Sequence, residues 1–343
     1  NININIVNSR AASDKAAAGM NRKLGNTIKY LLSLALAGAL VYFALRGIDW
    51  KAFGEGLREI RWGYAVLFLA VSVIALIFRE ERWRAMMLPL DPGVRRIDAW
   101  DAANVGNLTN VVLPGAGEFV RCGYISSKRL GYDKAFGTIV CERAWDFLAV
   151  GLLFLLALAL KWKSFGGFFV ENIWHPLLGR SASAWWLLIP AAAFVALAWA
   201  VWRFRKKSRV CGKIAGAAAG LWKGIASFAQ IPDKWMFLLC TVGIWTMYLL
   251  MTWSVFQAVP ALSHLGFIDA LFISSVGNFA SVIPVPGGIG AYHYLVALAL
   301  QTLYGASWET GILAATLNHE MHAIVVLLTG AVSYITLTVR RKR

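Results

Sequence analysis

The sequence predicts an all-α polytopic membrane protein built as two inverted repeats, each of about three spans plus a Pro/Gly-broken helical hairpin. Three observations predict it. Apolar runs long enough to cross a bilayer recur along 343 residues that are 59% hydrophobic and only 15% charged. The basic residues gather between those runs. A Pro/Gly-interrupted apolar segment occurs twice, in related sequence. A soluble domain carries roughly a quarter charged residues, whereas a span needs about 20 apolar residues in a row.

The elements follow in order. Residues 1–19 (NININIVNSRAASDKAAAG) are polar or small and hold no apolar run, so they read as an added tag or disordered leader outside the fold. Spans are expected at 27–45, 62–78, 135–160, 185–202, 235–259 and 310–339. Trp62, Trp162, Trp185, Trp202 and Trp235 at their ends fit an interfacial aromatic belt. The stretch 210–230 is rich in small residues and reads as an interfacial helix or a simple linker.

The two broken segments are 98–128 and 269–304. Their tips carry Pro114, Gly115 and Gly117 in one and Pro284, Pro286, Gly287 and Gly288 in the other. Proline and glycine break a helix and release backbone hydrogen-bonding groups, which a membrane tolerates only inside protein or beside water. Each segment is therefore read as a re-entrant hairpin, the alternatives being a kinked span or two short spans. Charge favours the hairpin. With the N-terminus inside, the connection bearing Arg79, Arg82, Arg84, Arg95 and Arg96, the strongly basic 203–234 connection and the RRKR tail all fall inside. That requires each hairpin to cross an even number of times or not at all. The expected location is the cell membrane, multi-pass, with both termini cytoplasmic.

The hairpins match at one constant offset: Asp98, Ala99, Val105, Gly106, Asn107 and Val111 against Asp269, Ala270, Val276, Gly277, Asn278 and Val282. The repeats are thus 20–182 and 183–343. Three crossings per half is odd, so the second half is inverted. Inverted repeats with broken helices near the midplane are the architecture of alternating-access carriers.

The net charge of +16 reads as orientation and attraction to anionic headgroups, not as nucleic-acid binding. Four cysteines without a CxxC give no disulfide or metal framework.

GNLTNVVLPGAGEFVR, the basic stretch after it and CERAWD resemble the first signature of the lysylphosphatidylglycerol synthase transmembrane region, and PVPGGIGAYHY is similar to the second. The resemblance covers about residues 30–338. It implies a flippase-like protein that moves a phospholipid, an aminoacylated phospholipid or a polyprenyl phosphate. It also implies a stand-alone form, since no soluble synthase domain is present. Membrane lipids are the expected partners, with a second copy or a lipid-synthesising enzyme as further partners, and no cofactor is expected. Where the family often carries a late arginine, this chain has NHEMH (318–322). The alternatives are a membrane-embedded glycosyl or phosphoryl transferase, or an envelope-assembly scaffold. Neither a nucleotide loop nor a nucleophile constellation supports the first.

Ionisable groups at membrane depth face a cavity or a partner. Glu118 and Arg121 sit three apart, so a helix places them on one face, as an ion pair or a headgroup gate. Glu142 and Asp146 share a face, and Arg143 can meet Asp146. Arg143 is the leading candidate for a lipid phosphate, whose oxygens a guanidinium matches bidentately. Asn107 and Asn278 are expected to satisfy backbone freed at the breaks, Asp98 and Asp269 to cap helices, and the tips to offer N–H groups to an anion. His293 follows the second tip. His319, Glu320 and His322 are candidates for proton coupling. No metal is expected there, because H-E-x-H is not H-E-x-x-H and a third ligand is not evident.

Overall fold

The computed structural model describes residues 45–162 apart from 114, residues 231–280 and 290–342, and scattered positions within 35–42 and 199–229. The leader, most of the expected spans at 27–45 and 185–202, most of 210–230 and the second tip lie outside the described residues. Pro114, Pro284, Pro286, Gly287 and Gly288 lie outside them too. Among the described residues the regular structure is entirely helical.

A short helix α1 (Trp50–Arg58) is capped by Asp49, whose carboxylate accepts the N–H groups of Lys51 and Ala52. The next four are α2 (Trp62–Met87), α3 (Arg96–Val112), α4 (Ala116–Ile125) and α5 (Tyr132–Leu160). After the region 163–230 come α6 (Lys234–Ala258), α7 (Phe267–Ala280), α8 (Ala291–Tyr304) and α9 (Trp308–Lys342). Four of them, α2, α5, α6 and α9, are long and apolar enough to cross a membrane. They correspond to four of the six expected spans. Only 11% of the most apolar stretch of α5 is buried. Phe147, Leu152, Leu155, Trp235, Val242, Leu328 and Ile335 stand open on the outer surface. Apolar surface of that extent requires lipid as its solvent.

One boundary differs from expectation with consequence. The apolar run of α2 ends at Phe78, but the helix continues to Met87. Arg79, Arg82 and Arg84 are therefore helical, not part of a basic connection. Arg82 is fully buried and Arg84 donates to the carbonyl of Val94. The helix persists because its charges find partners, so hydropathy alone misplaces its end.

The first broken segment divides into two helices; in the second, α7 and α8 flank residues 281–289, which lie outside the described residues. α3 ends at Val112 and α4 begins at Ala116, after Gly115 in the left-handed region at φ 79°, a conformation that glycine adopts without penalty. α3 and α4 then lie against each other: a Cβ on Gly117 would stand 2.0 Å from the carbonyl oxygen of Gly106. In the other half, a Cβ on Gly277 would stand 2.5 Å from the ring of Tyr292 on α8. The matched glycines Gly106 and Gly277 thus serve as close-approach points. Each faces a residue fifteen positions downstream, Arg121 in one half and Tyr292 in the other.

Asp98 and Asp269 are not N-caps but lie in the first turns of α3 and α7. Asp98 pairs with Arg95 at 2.8 Å. Asp269 accepts the Gly266 N–H at 2.9 Å and pairs with Lys161 at 2.7 Å. The carboxylates reach back from inside the helix, where they also oppose the positive end of the dipole.

Helices on either side of the region 163–230 pack on one another. α2 packs on α6, α3 packs on α9 and α7 packs on α5. Gly243 admits the ring of Phe78 into the first of these contacts, and Gly330 admits Leu108 into the second. An apolar core runs from Phe68 and Val71 of α2 through Phe256 of α6 to Ile273, Leu300 and Leu313. A second gathers Trp83, Met87, Cys122, Ile139 and Phe237.

Candidate functional site

Seven charged side chains from three helices converge on one network. Glu142 of α5 is completely buried and is its centre. Arg121 of α4 reaches it at 2.8 Å, Arg79 of α2 at 3.3 Å and Arg82 of α2 at 3.9 Å. Arg82 also pairs with Asp146 at 2.5 Å. Arg121 also pairs with Glu118 at 2.8 Å, and Arg143 pairs with Glu118 and, at 3.7 Å, with Asp146. The guanidinium of Arg121 lies over the Trp83 ring, 4.7 Å from its centroid, in cation–π geometry. Trp83 in turn donates to Thr138 of α5 at 2.9 Å.

The network brings together five residues that the sequence marks: Glu118, Arg121, Glu142, Arg143 and Asp146. It adds Arg79 and Arg82. Four guanidinium groups meet three carboxylates in direct ion pairs. Glu80, one position along α2, is buried, and neither carboxylate oxygen has a hydrogen-bond partner among the described residues. Buried ions on this scale persist only when paired. Arg143, the leading phosphate candidate, is the open edge of the network: its side chain is 45% exposed, against 4% for Arg121.

The freed backbone at the first break is satisfied by Asn110, whose Oδ1 accepts the Gly117 N–H at 2.8 Å. Asn107, expected in that role, instead lines a cavity of about 220 Å³ with Arg79, Asn110 and His322. The side chain at 110 sits beside the break, whereas that at 107 is almost a turn earlier. One tip N–H is therefore already occupied by protein. Asn110→Ala is expected to lower stability by about 1 kcal/mol, the usual worth of a helix cap, as read by thermal unfolding in detergent.

A larger cavity, about 450 Å³, is lined by Tyr248, Thr252, Asn278, Tyr292, His319 and Glu320, among others. It abuts the smaller one through Val111, His322 and Val326, which line both. The two cavities therefore join polar groups of both halves, from Arg79 and Asn107 to Asn278 and Glu320. Asn318 bridges the second half internally, donating to Tyr292 at 2.7 Å and Thr252 at 3.2 Å. A neutral bridge from α8 to α9 stands here, where α4 and α5 of the first half are joined by Arg121 and Glu142.

His319 and His322 lie a turn apart and part company. His322 bonds Ser72 of α2 at 2.7 Å. His319 Nδ1 lies 2.9 Å from Glu320, with the His293 ring 5.2 Å from its own. His293 thus belongs with His319 and Glu320, not with the arginine network.

The site defines a class: a helical membrane protein with a buried charged network beside a cavity that holds polar side chains. The sequence model of the lysylphosphatidylglycerol synthase TM region matches residues 30–330. The chain belongs to that family. No curated protein and no solved structure matches it.

Proposed function

We propose that this chain translocates an anionic lipid, either a phospholipid, its aminoacylated form or a polyprenyl phosphate, across the cell membrane by alternating access. One observation carries the proposal. Two adjoining cavities, apolar over most of their walls but lined also by Arg79, Asn107, Asn278 and Glu320, sit beside a network with one more arginine than paired carboxylate, inside a bundle whose outer surface is apolar. A phosphate headgroup is the kind of anion that completes such a network, because guanidinium groups bind its oxygens bidentately. The tails stay in the bilayer along the exposed faces of the long helices. Family membership supports a lipid substrate.

The reciprocal packing of α3 on α9 and α7 on α5 supports two inverted repeats with oppositely directed re-entrant hairpins. A two-fold relation exchanges those two contacts and places α2 against α6. The basic connections and tail then face the cytoplasm. Opening one hairpin at a time exposes the cavity to one side at a time.

Lipids retained by the purified protein, identified by mass spectrometry, test the binding half of this reading. An anionic phospholipid, aminoacyl phospholipid or polyprenyl phosphate is expected to be enriched over the extracted membrane. Arg143→Ala is expected to reduce that enrichment at least about tenfold, since a hydrogen bond to a charged group is worth about 1.5–3 kcal/mol. A lipid profile equal to bulk membrane, or full enrichment in Arg143→Ala, speaks against it.

A further inference from the structure

We infer that His293, His319 and Glu320 form a binding site for a divalent transition-metal cation, with an open coordination position on the larger cavity. The sequence shows only His319, Glu320 and His322, two of which lie on one face of α9. The fold replaces His322, committed to Ser72, with His293 from α8. One ligand atom of each of the three residues lies within 4.8 Å of the others. His319 Nδ1 stands 2.9 Å and His293 Nε2 3.6 Å from the same carboxylate oxygen of Glu320. Around a tetrahedral ion with bonds of about 2.0–2.1 Å, ligand atoms stand about 3.4 Å apart. The two distances to Glu320 bracket that spacing. The carboxylate, with 47% of its side chain exposed, has the freedom to make the adjustment.

The site is held from outside. A Cβ on Gly311 of α9 would lie 2.9 Å from the Ala297 backbone of α8, so the two helices are as close as packing permits. The hydrogen bond from Asn318 to Tyr292 fixes the register at the positions next to His319 and His293. Ligands on rigid elements, fixed by neighbours, are the condition for a preformed metal site.

The donor on His293 is Nε2, and the side chain is only 13% exposed. Its Nδ1 is buried without a hydrogen-bond partner among the described residues. Its Nε2 faces Glu320 at 3.6 Å, beyond hydrogen-bond distance. An imidazole held by packing, with a nitrogen aimed at a carboxylate and a second imidazole, has the arrangement of a ligand.

Two imidazoles and one carboxylate suit zinc, cobalt or a similar borderline ion better than magnesium or calcium, which prefer oxygen. Three protein ligands leave a position open to water or an incoming anion. His319 and Glu320 line the 450 Å³ cavity, so that position gives onto it. The inference stands apart from the lipid reading: a chain that binds the cation and moves no lipid refutes that reading alone, and the reverse outcome refutes this one alone.

Cobalt titration of metal-stripped protein in detergent, without a polyhistidine tag, tests it. One cobalt per chain is expected, with visible d–d absorption of a four- or five-coordinate ion that zinc displaces. His293→Ala and His319→Ala are each expected to weaken binding at least tenfold, about the minimum for loss of a ligand when even its supporting contacts cost that much. His264→Ala, away from the site, is expected to bind as the parent does. Thermal unfolding with and without zinc guards against misfolding: zinc is expected to raise the melting temperature of the parent but not of His293→Gln. No saturable cobalt band in the parent, or a parent-like affinity or zinc-induced shift in the His293 variants, overturns the site.

Discussion

Replacing Glu142 by glutamine is expected to destabilise the protein by about 3–5 kcal/mol, the cost of leaving a buried charge without its partner. The residue is fully buried and three guanidinium groups converge on it, from Arg79, Arg82 and Arg121. Glutamine keeps the shape and removes the charge, so the loss measures electrostatics and not a cavity. Arg143→Ala tests the same network at its rim. With 45% of that side chain exposed, its contribution to stability is expected at about 1 kcal/mol or less. A combined Glu142→Gln and Arg121→Met variant is expected to recover part of the loss, since an unpaired cation is removed with its anion. Thermal unfolding in one detergent reads all three. Equal losses at Glu142 and Arg143 would mean that the network is solvated throughout.

Gly117→Ala is expected to act through backbone sterics and to be nearly as severe. The added methyl would meet the Gly106 carbonyl at 2.0 Å and Asn110 at 2.6 Å. A backbone oxygen cannot swing aside, so α3 and α4 must separate. Overpacking costs about 1–3 kcal/mol and more where relief is blocked, and about 3 kcal/mol is expected here. Separation also carries Arg121 away from Glu142 and breaks the bond from the Gly117 N–H to Asn110. Gly123 lies on the same helix with nothing within 4 Å of an added Cβ. Gly123→Ala is expected to be neutral or to stabilise by up to about 1 kcal/mol through helix propensity. Similar losses at the two glycines would refute close packing of the hairpin.

The legible parts of the fold are those written in local pattern. Four long helices announce themselves by apolar length, and the break between α3 and α4 by proline and glycine. The Asp98–Val111 and Asp269–Val282 match points to a shared layout, and Gly106 and Gly277 do make equivalent close approaches. The carboxylates and arginines of α4 and α5 are visible because charges stand out in apolar sequence.

What the sequence conceals is tertiary. Arg79 and Arg82 lie just past the last apolar residue of their run, where a loop charge and a buried charge look alike. The signal was the apolar content beyond them, Trp83, Met86 and Met87, all buried. Asn110 rather than Asn107 serves the broken backbone because one turn of helix decides which amide faces the gap. His293 meets His319 because α8 and α9 pack closely, at Gly311 among other places, a contact between residues with no spacing motif in common.

Lipid movement in vesicles tests the central claim most directly. The purified chain is reconstituted into liposomes carrying fluorescent headgroup-labelled anionic phospholipid, aminoacyl phospholipid or polyprenyl phosphate in separate preparations. A membrane-impermeant quencher then reports the fraction exposed outside. Transfer of at least one of these lipids well above protein-free vesicles is predicted, with Arg143→Ala slower by about tenfold or more. Rates equal to protein-free vesicles for every lipid class, from protein that remains folded after reconstitution, would contradict the account.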